Sequence, residues 1–179
     1  MKKQIKITHL PRVVSDGQSG RQLIRSLELS GYTVHYEGAF SESVFVATTG
    51  VQYKPILIRG EDLDGADIGR TDEDFREFAL RVGFVTPPAE LAPLLRRTVP
   101  DKEIKKLGLV ALVIMCTPYS FKVRRSNAGC SDTIDVTGLA IRAEDGGNIL
   151  SIGGMYCGNC WSDRIGFVFL AEVPVAPVV

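Results

Sequence analysis

Apolar and polar residues alternate along the start of the chain, over residues 3–10 and again over residues 32–37. Alternation with a period of two is typical of a β-strand with one buried face. Between these segments, leucine and isoleucine recur at helical spacing over residues 21–30, and Gly31 follows where a helix commonly ends. The chain is therefore predicted to begin with a strand, a helix and a second strand, which together form a β-α-β unit.

The middle of the chain contains two further candidate strands, over residues 44–47 and 53–59. A helix is expected to start after Thr71, because Asp74 stands three residues later and makes a close match to a capping box. Apolar residues then recur at helical spacing, so one face of this helix is expected to pack on the sheet. Pro88 suits the first turn of another short helix.

From residue 100 onward, short apolar segments alternate with turn residues. A short helix is predicted over residues 101–107, and residues 109–116 are apolar on both faces, as in a strand inside a sheet. The further predicted strands cover residues 121–125, 133–143, 148–152 and 165–173. This second half is predicted to be a mostly antiparallel β meander.

These elements predict an α+β fold, with an N-terminal β-α-β unit, the meander, and two or three amphipathic helices packed on the sheet. The chain has 179 residues, of which 45% are hydrophobic, and this is enough for a single domain over residues 1–179. Within that domain we expect two sub-lobes, an α/β half over residues 1–98 and a β-rich half over residues 99–179.

The charge balance narrows the classes of partner. The chain has 21 basic and 21 acidic residues, so no net charge attracts it to nucleic acid or to an anionic membrane. Its longest apolar run covers residues 107–116, whereas a membrane span needs about 18 residues or more. The N-terminus also lacks the continuous apolar stretch of a signal peptide. We therefore expect a soluble, cytoplasmic protein with reduced cysteines.

The cysteines are the first candidates for chemistry. Cys157 and Cys160 flank a Gly-Asn pair, and two thiolates at this spacing are half of a tetrahedral zinc site. Cys116 and Cys130 are candidates to complete a four-sulfur set. The Gly-Asn pair also favours a two-residue hairpin in which the cysteines are cross-strand neighbours, and this is the preferred interpretation. A redox-active pair is the third alternative.

A second candidate is the loop before the first helix, which contains Asp16, Gly17, Ser19, Gly20 and Arg21. Backbone N–H groups at the start of a helix, together with the positive charge of Arg21, are suited to a phosphate or carboxylate ligand. The residues match neither a phosphate-binding loop nor a dinucleotide fingerprint. An ordinary capped turn is therefore the competing interpretation.

Charge is also segregated along the chain. Residues 61–77 contain eight acidic residues and two arginines, whereas residues 96–125 contain eight basic residues and two acidic ones. The candidate interaction residues are Asp62, Asp64, Asp67, Lys122, Arg124 and Arg125. The acidic residues do not match an EF-hand, although a nonstandard divalent-cation site stays an alternative. The basic residues lack interleaved stacking aromatics, which argues against nucleic acid.

These patterns favour a binding protein without a catalytic site of its own, because no complete catalytic set is present while charge is strongly segregated. We expect its partner to be another protein, engaged through the charged surfaces. The alternative is a small zinc- or thiol-dependent protein that uses Cys157 and Cys160 and has an anion-binding loop at residues 16–21. Zinc is the only cofactor that either hypothesis includes.

Overall fold

The computed structural model describes residues 5–35, 37–40, 45–63, 71–124, 131–143, 148–153 and 163–172. Helices pack on a mixed β-sheet in these ranges, so the predicted α+β class is confirmed. The strands are β1 (Ile7–His9), β2 (Val13–Asp16), β3 (Thr33–Val34), β4 (Thr49–Tyr53), β5 (Pro55–Arg59), β6 (Ala111–Ile114), β7 (Tyr119–Arg124), β8 (Ser131–Val136), β9 (Gly138–Arg142), β10 (Ile149–Gly153) and β11 (Ile165–Leu170). The helices are α1 (Gly20–Leu29), α2 (Gly60–Leu63), α3 (Asp72–Arg81), α4 (Leu91–Thr98) and α5 (Asp101–Lys106), with a 3₁₀ turn at Glu37–Phe40.

Seven strands form the main sheet, in the order β1-β5-β11-β6-β9-β10-β3. Two neighbouring pairs are parallel, β11 with β6 and β10 with β3, and the other four are antiparallel. These pairings make β1 and β3 parallel to each other at the two edges of the sheet. The predicted strand-helix-strand order is present, with β2 added before α1, and the connection spans the width of the sheet.

Two smaller antiparallel ribbons, β2–β4 and β7–β8, accompany the main sheet. The second half of the chain contains the hairpins β7–β8 and β9–β10, and β6 pairs antiparallel with β9. It is therefore mostly antiparallel, as predicted, apart from the parallel pairing of β6 with β11. The main sheet takes strands from both halves of the chain.

Helices lie over both faces of the main sheet because its central strands are apolar on both sides. In β5, Leu57 belongs to the core shared with α1, α4 and α5, whereas Ile56 and Ile58 belong to the core shared with α3. The two ribbons join the first core through Tyr53 of β4 and Phe121 of β7. As a result, α1 and α3 lie on opposite faces of the sheet.

Two predicted strands are each divided in the structure. The segment 53–59 is divided before Pro55, which has no backbone N–H: β4 pairs with β2, and β5 joins the main sheet. The segment 133–143 is divided at Thr137, where the chain passes from β8 to β9. The described part of the third predicted strand, over residues 44–47, is not a strand.

The predicted helix ends agree well with the structure. Gly31 and Gly108 follow α1 and α5 with φ angles of 84° and 74°, a region that glycine enters without steric cost. Helix α4 begins at Leu91, three residues after Pro88, and Pro93 lies in its first turn, where a missing N–H is tolerated.

Candidate functional site

Helix α3 begins as its sequence predicts. The Thr71 side chain accepts a hydrogen bond from the Asp74 N–H at 3.1 Å, and the Asp74 carboxylate accepts one from the Thr71 N–H at 3.0 Å. The hydrogen bonds that Thr71 donates hold the pKa of Asp74 below its ordinary value. This reciprocal cap fixes the start of the helix, and with it the direction of every side chain that follows.

The outer face of α3 combines acidic and apolar residues. Phe75, Phe78 and Ala79 are buried against the sheet, with the Phe75 ring 4.3 Å from that of Phe167. The helical period therefore turns Glu73, Glu77 and Leu80 outward together. The Leu80 side chain is 58% exposed, and neither glutamate has a hydrogen-bond or ion-pair partner among the described residues. We call Glu73, Glu77 and Leu80 the α3 surface.

The two arginines of α3 have partners elsewhere and leave this surface acidic: the guanidinium of Arg76 donates to the carbonyl oxygen of Thr137. The guanidinium of Arg81 lies over the Phe78 ring, 5.9 Å from its centroid. At this distance the cation interacts with the face of the ring. Two carboxylates and one exposed leucine therefore dominate the outward side of the helix.

The outer face of α1, on the opposite side of the sheet, has the opposite charge. Its buried residues are Gly20, Leu23, Ile24 and Leu27. Arg21, Arg25 and Leu29 recur every four residues on the outward side, and Leu29 is 81% exposed. Glu28 lies at the flank of this stripe. We call Arg21, Arg25 and Leu29 the α1 surface.

The predicted anion-binding loop precedes α1, and its acidic residue already has a cationic partner. The Asp16 carboxylate accepts hydrogen bonds from Arg97 at 2.8 Å and from the Gln18 side chain at 3.1 Å. Partial burial raises the pKa of Asp16, but the hydrogen bonds from Arg97 and from the Gln18 N–H outweigh it and lower the pKa overall. A negative charge thus stands beside the N-terminus of the helix.

The remaining loop residues form a closed cap. The Ser19 N–H donates to the Gln22 side chain at 2.8 Å, and the Ser19 side chain accepts from the Gln22 N–H at 3.4 Å. A Cβ atom on Gly20 would lie 2.1 Å from the carbonyl oxygen of Phe40, so the chain packs closely there. Gly17 has a φ of 77°, and its N–H donates to Thr48 O. Of the five predicted ligand residues, Arg21 points outward, in the α1 surface.

Thr48 connects this loop to a buried carboxylate that the sequence analysis missed. Glu90, at the N-terminal end of α4, is 2% exposed. It accepts hydrogen bonds from the Thr48 N–H at 3.0 Å, from the Thr48 hydroxyl and from the Tyr53 hydroxyl. Burial, followed by the hydrogen bond to Glu90, raises the pKa of Tyr53. The signal in the sequence was a single acidic residue directly before the apolar run that starts α4.

A buried cation is the second missed feature. Arg96 is completely buried, although the sequence analysis counted it within the basic segment. Its guanidinium donates to the Asp101 carboxylate and, at 3.1 Å, to the Asn148 side chain, and it lies 4.6 Å from the centre of the Tyr32 ring. Arg96 therefore holds α4, α5 and the start of β10 together, and it contributes no charge to the surface.

The predicted interaction residues are only partly described. Asp62 lies in α2 and is half-buried, and its Oδ2 atom is buried without a hydrogen-bond partner in the structure. Lys122 and Arg124 lie in β7, opposite Thr133 and Ser131 of β8, and the positions of their side chains are outside the described part. The remaining three, Asp64, Asp67 and Arg125, lie outside the described residues.

Of the candidate metal ligands, only Cys116 is described. It is a free, buried thiol, and burial raises its pKa to about 12. Cys130, Cys157 and Cys160 lie outside the described residues. Within the ranges that the structure covers, no group of three or more histidine, cysteine or acidic side chains is placed to hold a metal ion. The zinc alternative stays a prediction.

Comparison with protein-family models, with curated proteins and with solved structures finds no match for this chain. None of the helices in the described ranges combines the length and the apolarity that crossing a membrane requires.

Proposed function

We propose that this is a binding protein without a catalytic site of its own, which engages a protein partner through its charge-segregated surfaces. The observation that carries the proposal is the α3 surface, where an exposed leucine lies beside two carboxylates that lack partners among the described residues. An apolar anchor beside charged groups is a common composition for a protein interface, because the apolar contact contributes affinity and the charges select the partner.

Charge on the opposite side of the sheet supports the same proposal. Helices α1 and α5, which share a core, display Arg21, Arg25, Lys102 and Lys106 as exposed residues. Lys106 is paired with Glu103 at 2.9 Å. The acidic α3 surface and the basic residues thus lie on opposite faces, although the chain as a whole is neutral.

A protein fits the α3 surface better than a nucleic acid does. Nucleic acids carry a phosphate charge at every nucleotide and bind mainly to lysine and arginine, so the two glutamates of the α3 surface would repel them. A partner segment with lysine or arginine next to an apolar side chain would complement both parts of the surface. We propose the cytoplasm as the place of this interaction, which agrees with the free thiol of Cys116.

Affinity capture with charge-reversed bait tests the proposal. The wild-type chain and a Glu73→Lys, Glu77→Lys variant would be immobilised, and proteins retained from a cell extract would be quantified at about 50 mM and about 500 mM salt. We expect a discrete set of proteins that the variant and high salt both release. A Glu28→Lys, Asp135→Lys variant has the same change in net charge away from α3 and should retain them.

Two outcomes of this capture experiment would contradict the proposal. If the α3 variant retains the same proteins as the wild-type chain, the α3 surface does not bind them. The same conclusion follows if the control variant loses them to an equal extent, because net charge alone would then explain the capture.

A further inference from the structure

We infer that the α3 surface binds the α1 surface of a second copy of this chain. This inference rests on the proposed function, since it names the partner of the same surface. The two surfaces have opposite charge, each carries one strongly exposed leucine, and they face away from each other across the main sheet. One copy can therefore present both surfaces at once, to two different neighbours.

The spacing of the residues matches along the two helices. Glu73 and Glu77 are separated by four residues, and so are Arg21 and Arg25, which places each pair about 6 Å apart along its helix axis. Leu80 and Leu29 both lie in the last turn of their ten-residue helices. In a parallel arrangement each glutamate meets an arginine and the two leucines meet each other.

The antiparallel arrangement lacks this match. With the helix ends aligned, Glu77 would still meet Arg25, but Glu73 would lie against Leu29 and Leu80 against Arg21. Glu73 and Arg21 would lose water without gaining an opposite charge, which is unfavourable. A shifted antiparallel register pairs both glutamates with arginines but leaves Leu80 and Leu29 at opposite ends of the contact. The order of residues along the helices therefore selects the parallel arrangement.

This contact joins two different surfaces, so it is heterologous. A heterologous contact builds a ring when the rotation between successive copies returns to the first copy, and an open chain when it does not. The surfaces lie on opposite faces of the sheet, which favours an open chain of copies. Two ten-residue helices bury less than the roughly 1,000 Å² of a stable interface, so the association is weak and depends on concentration and salt.

Sedimentation velocity with paired charge reversals tests this inference. The wild-type chain would be measured from about 20 μM to about 1 mM, at about 20 mM and about 500 mM salt. We expect the weight-average sedimentation coefficient to rise with concentration at low salt only. An acidic-surface variant, Glu73→Arg with Glu77→Arg, and a basic-surface variant, Arg21→Glu with Arg25→Glu, should each stay monomeric.

An equimolar mixture of the two variants is the decisive sample. Each variant provides a surface that complements one on the other, so mixing should restore at least half of the wild-type rise. A wild-type coefficient that is independent of concentration would overturn the inference, and so would wild-type association that the mixture does not restore. Circular dichroism and thermal melts establish that both variants fold. If either variant does not fold, Glu73→Gln with Glu77→Gln and Arg21→Gln with Arg25→Gln replace the charge reversals. Each glutamine variant should then lose the association that the wild-type chain shows, and retained association would overturn the inference.

The self-association inference and the proposed function can fail independently. A monomeric wild-type chain whose captured proteins are still released by the Glu73→Lys, Glu77→Lys variant would end the self-association inference alone. Loss of the α3 dependence in both experiments would end both.

Discussion

Replacing Tyr53 with phenylalanine removes a single oxygen atom and keeps the ring. That oxygen donates a hydrogen bond to the carboxylate of Glu90, and both residues are 2% exposed. It also lies 3.1 Å from the Thr48 hydroxyl. The variant therefore tests whether the β2–β4 ribbon is held to α4 by a buried, charged acceptor.

The expected cost follows from the type of hydrogen bond. A hydrogen bond to a charged group contributes about 1.5–3 kcal/mol to stability, against about 0.5–1.5 kcal/mol for a neutral one. Two hydrogen bonds from Thr48 to the carboxylate remain in the variant, so Glu90 keeps partners. We expect a loss of about 2 kcal/mol in the free energy of unfolding, or about 4–8 °C in Tm for a domain of this size.

Tyr119 provides a matched control. Its hydroxyl donates to the backbone carbonyl of Ala39 at 2.8 Å, which is a neutral acceptor. Tyr119→Phe makes the same chemical change and should cost about 1 kcal/mol. Urea denaturation followed by circular dichroism would measure both variants, with the slope m compared to confirm that the unfolded states are alike.

A double-mutant cycle that combines Tyr53→Phe with Glu90→Gln isolates the interaction energy between these two residues. Residues in direct contact show interaction energies of about 0.5–3 kcal/mol, so the two substitutions should not be additive. The reasoning is refuted if Tyr53→Phe costs no more than Tyr119→Phe, or if the cycle gives an interaction energy near zero.

Three further predictions concern Arg96, the pH dependence of stability, and the cysteines. Arg96→Met should lower the free energy of unfolding by about 3 kcal/mol in chemical denaturation, because it leaves the Asp101 carboxylate without its buried partner, and a cost below about 1 kcal/mol would contradict this. The unfolded chain releases the tyrosine proton near pH 10, whereas the pKa of Tyr53 in the folded chain is raised, so stability is present below about pH 10 and falls above it. Tyr53→Phe should make the fall in the free energy of unfolding above about pH 10 shallower. If the slope of that free energy against pH is the same in the variant and the wild-type chain, the pKa of Tyr53 is not raised. Native mass spectrometry with and without a chelator should show one zinc per chain if the cysteine alternative holds, and the apo mass would eliminate it.

Local patterns made the helix ends predictable from the sequence. The capping box of α3 needs only Thr71 and Asp74, three residues apart, and the ends of α1 and α5 need only Gly31 and Gly108. Such signals act within one turn of chain, so a single sequence contains them completely. The α+β class was predictable for the same reason, because it depends on the periods of the segments and not on their order in space.

Features that depend on distant contacts were not predictable in this way. Arg96 was counted as a surface charge because its neighbours are basic, yet Asp101, Asn148 and Tyr32 gather around it only after folding. The division of residues 133–143 into two strands depends on which sheet each part joins, and this is a property of the whole fold.

The α3 surface was predictable only in part. The sequence pattern predicts the helix and shows that the segment is acidic, but it indicates acidic residues earlier in the segment, Asp62, Asp64 and Asp67, as the candidates for interaction. Glu73 and Glu77 were identified only when the buried face of α3 was known, because that face determines which residues point outward.

Photo-crosslinking from position 80 tests the central claim most directly. Leu80 would be replaced by a photoreactive phenylalanine derivative, and Val14, which is 52% exposed on β2, would be replaced in the same way as the control. We predict that illumination at position 80 gives discrete protein adducts, that Glu73→Lys with Glu77→Lys removes them, and that position 14 does not give them. Equal adducts at both positions, or adducts mainly with nucleic acid, would contradict the claim that α3 carries a protein-binding surface.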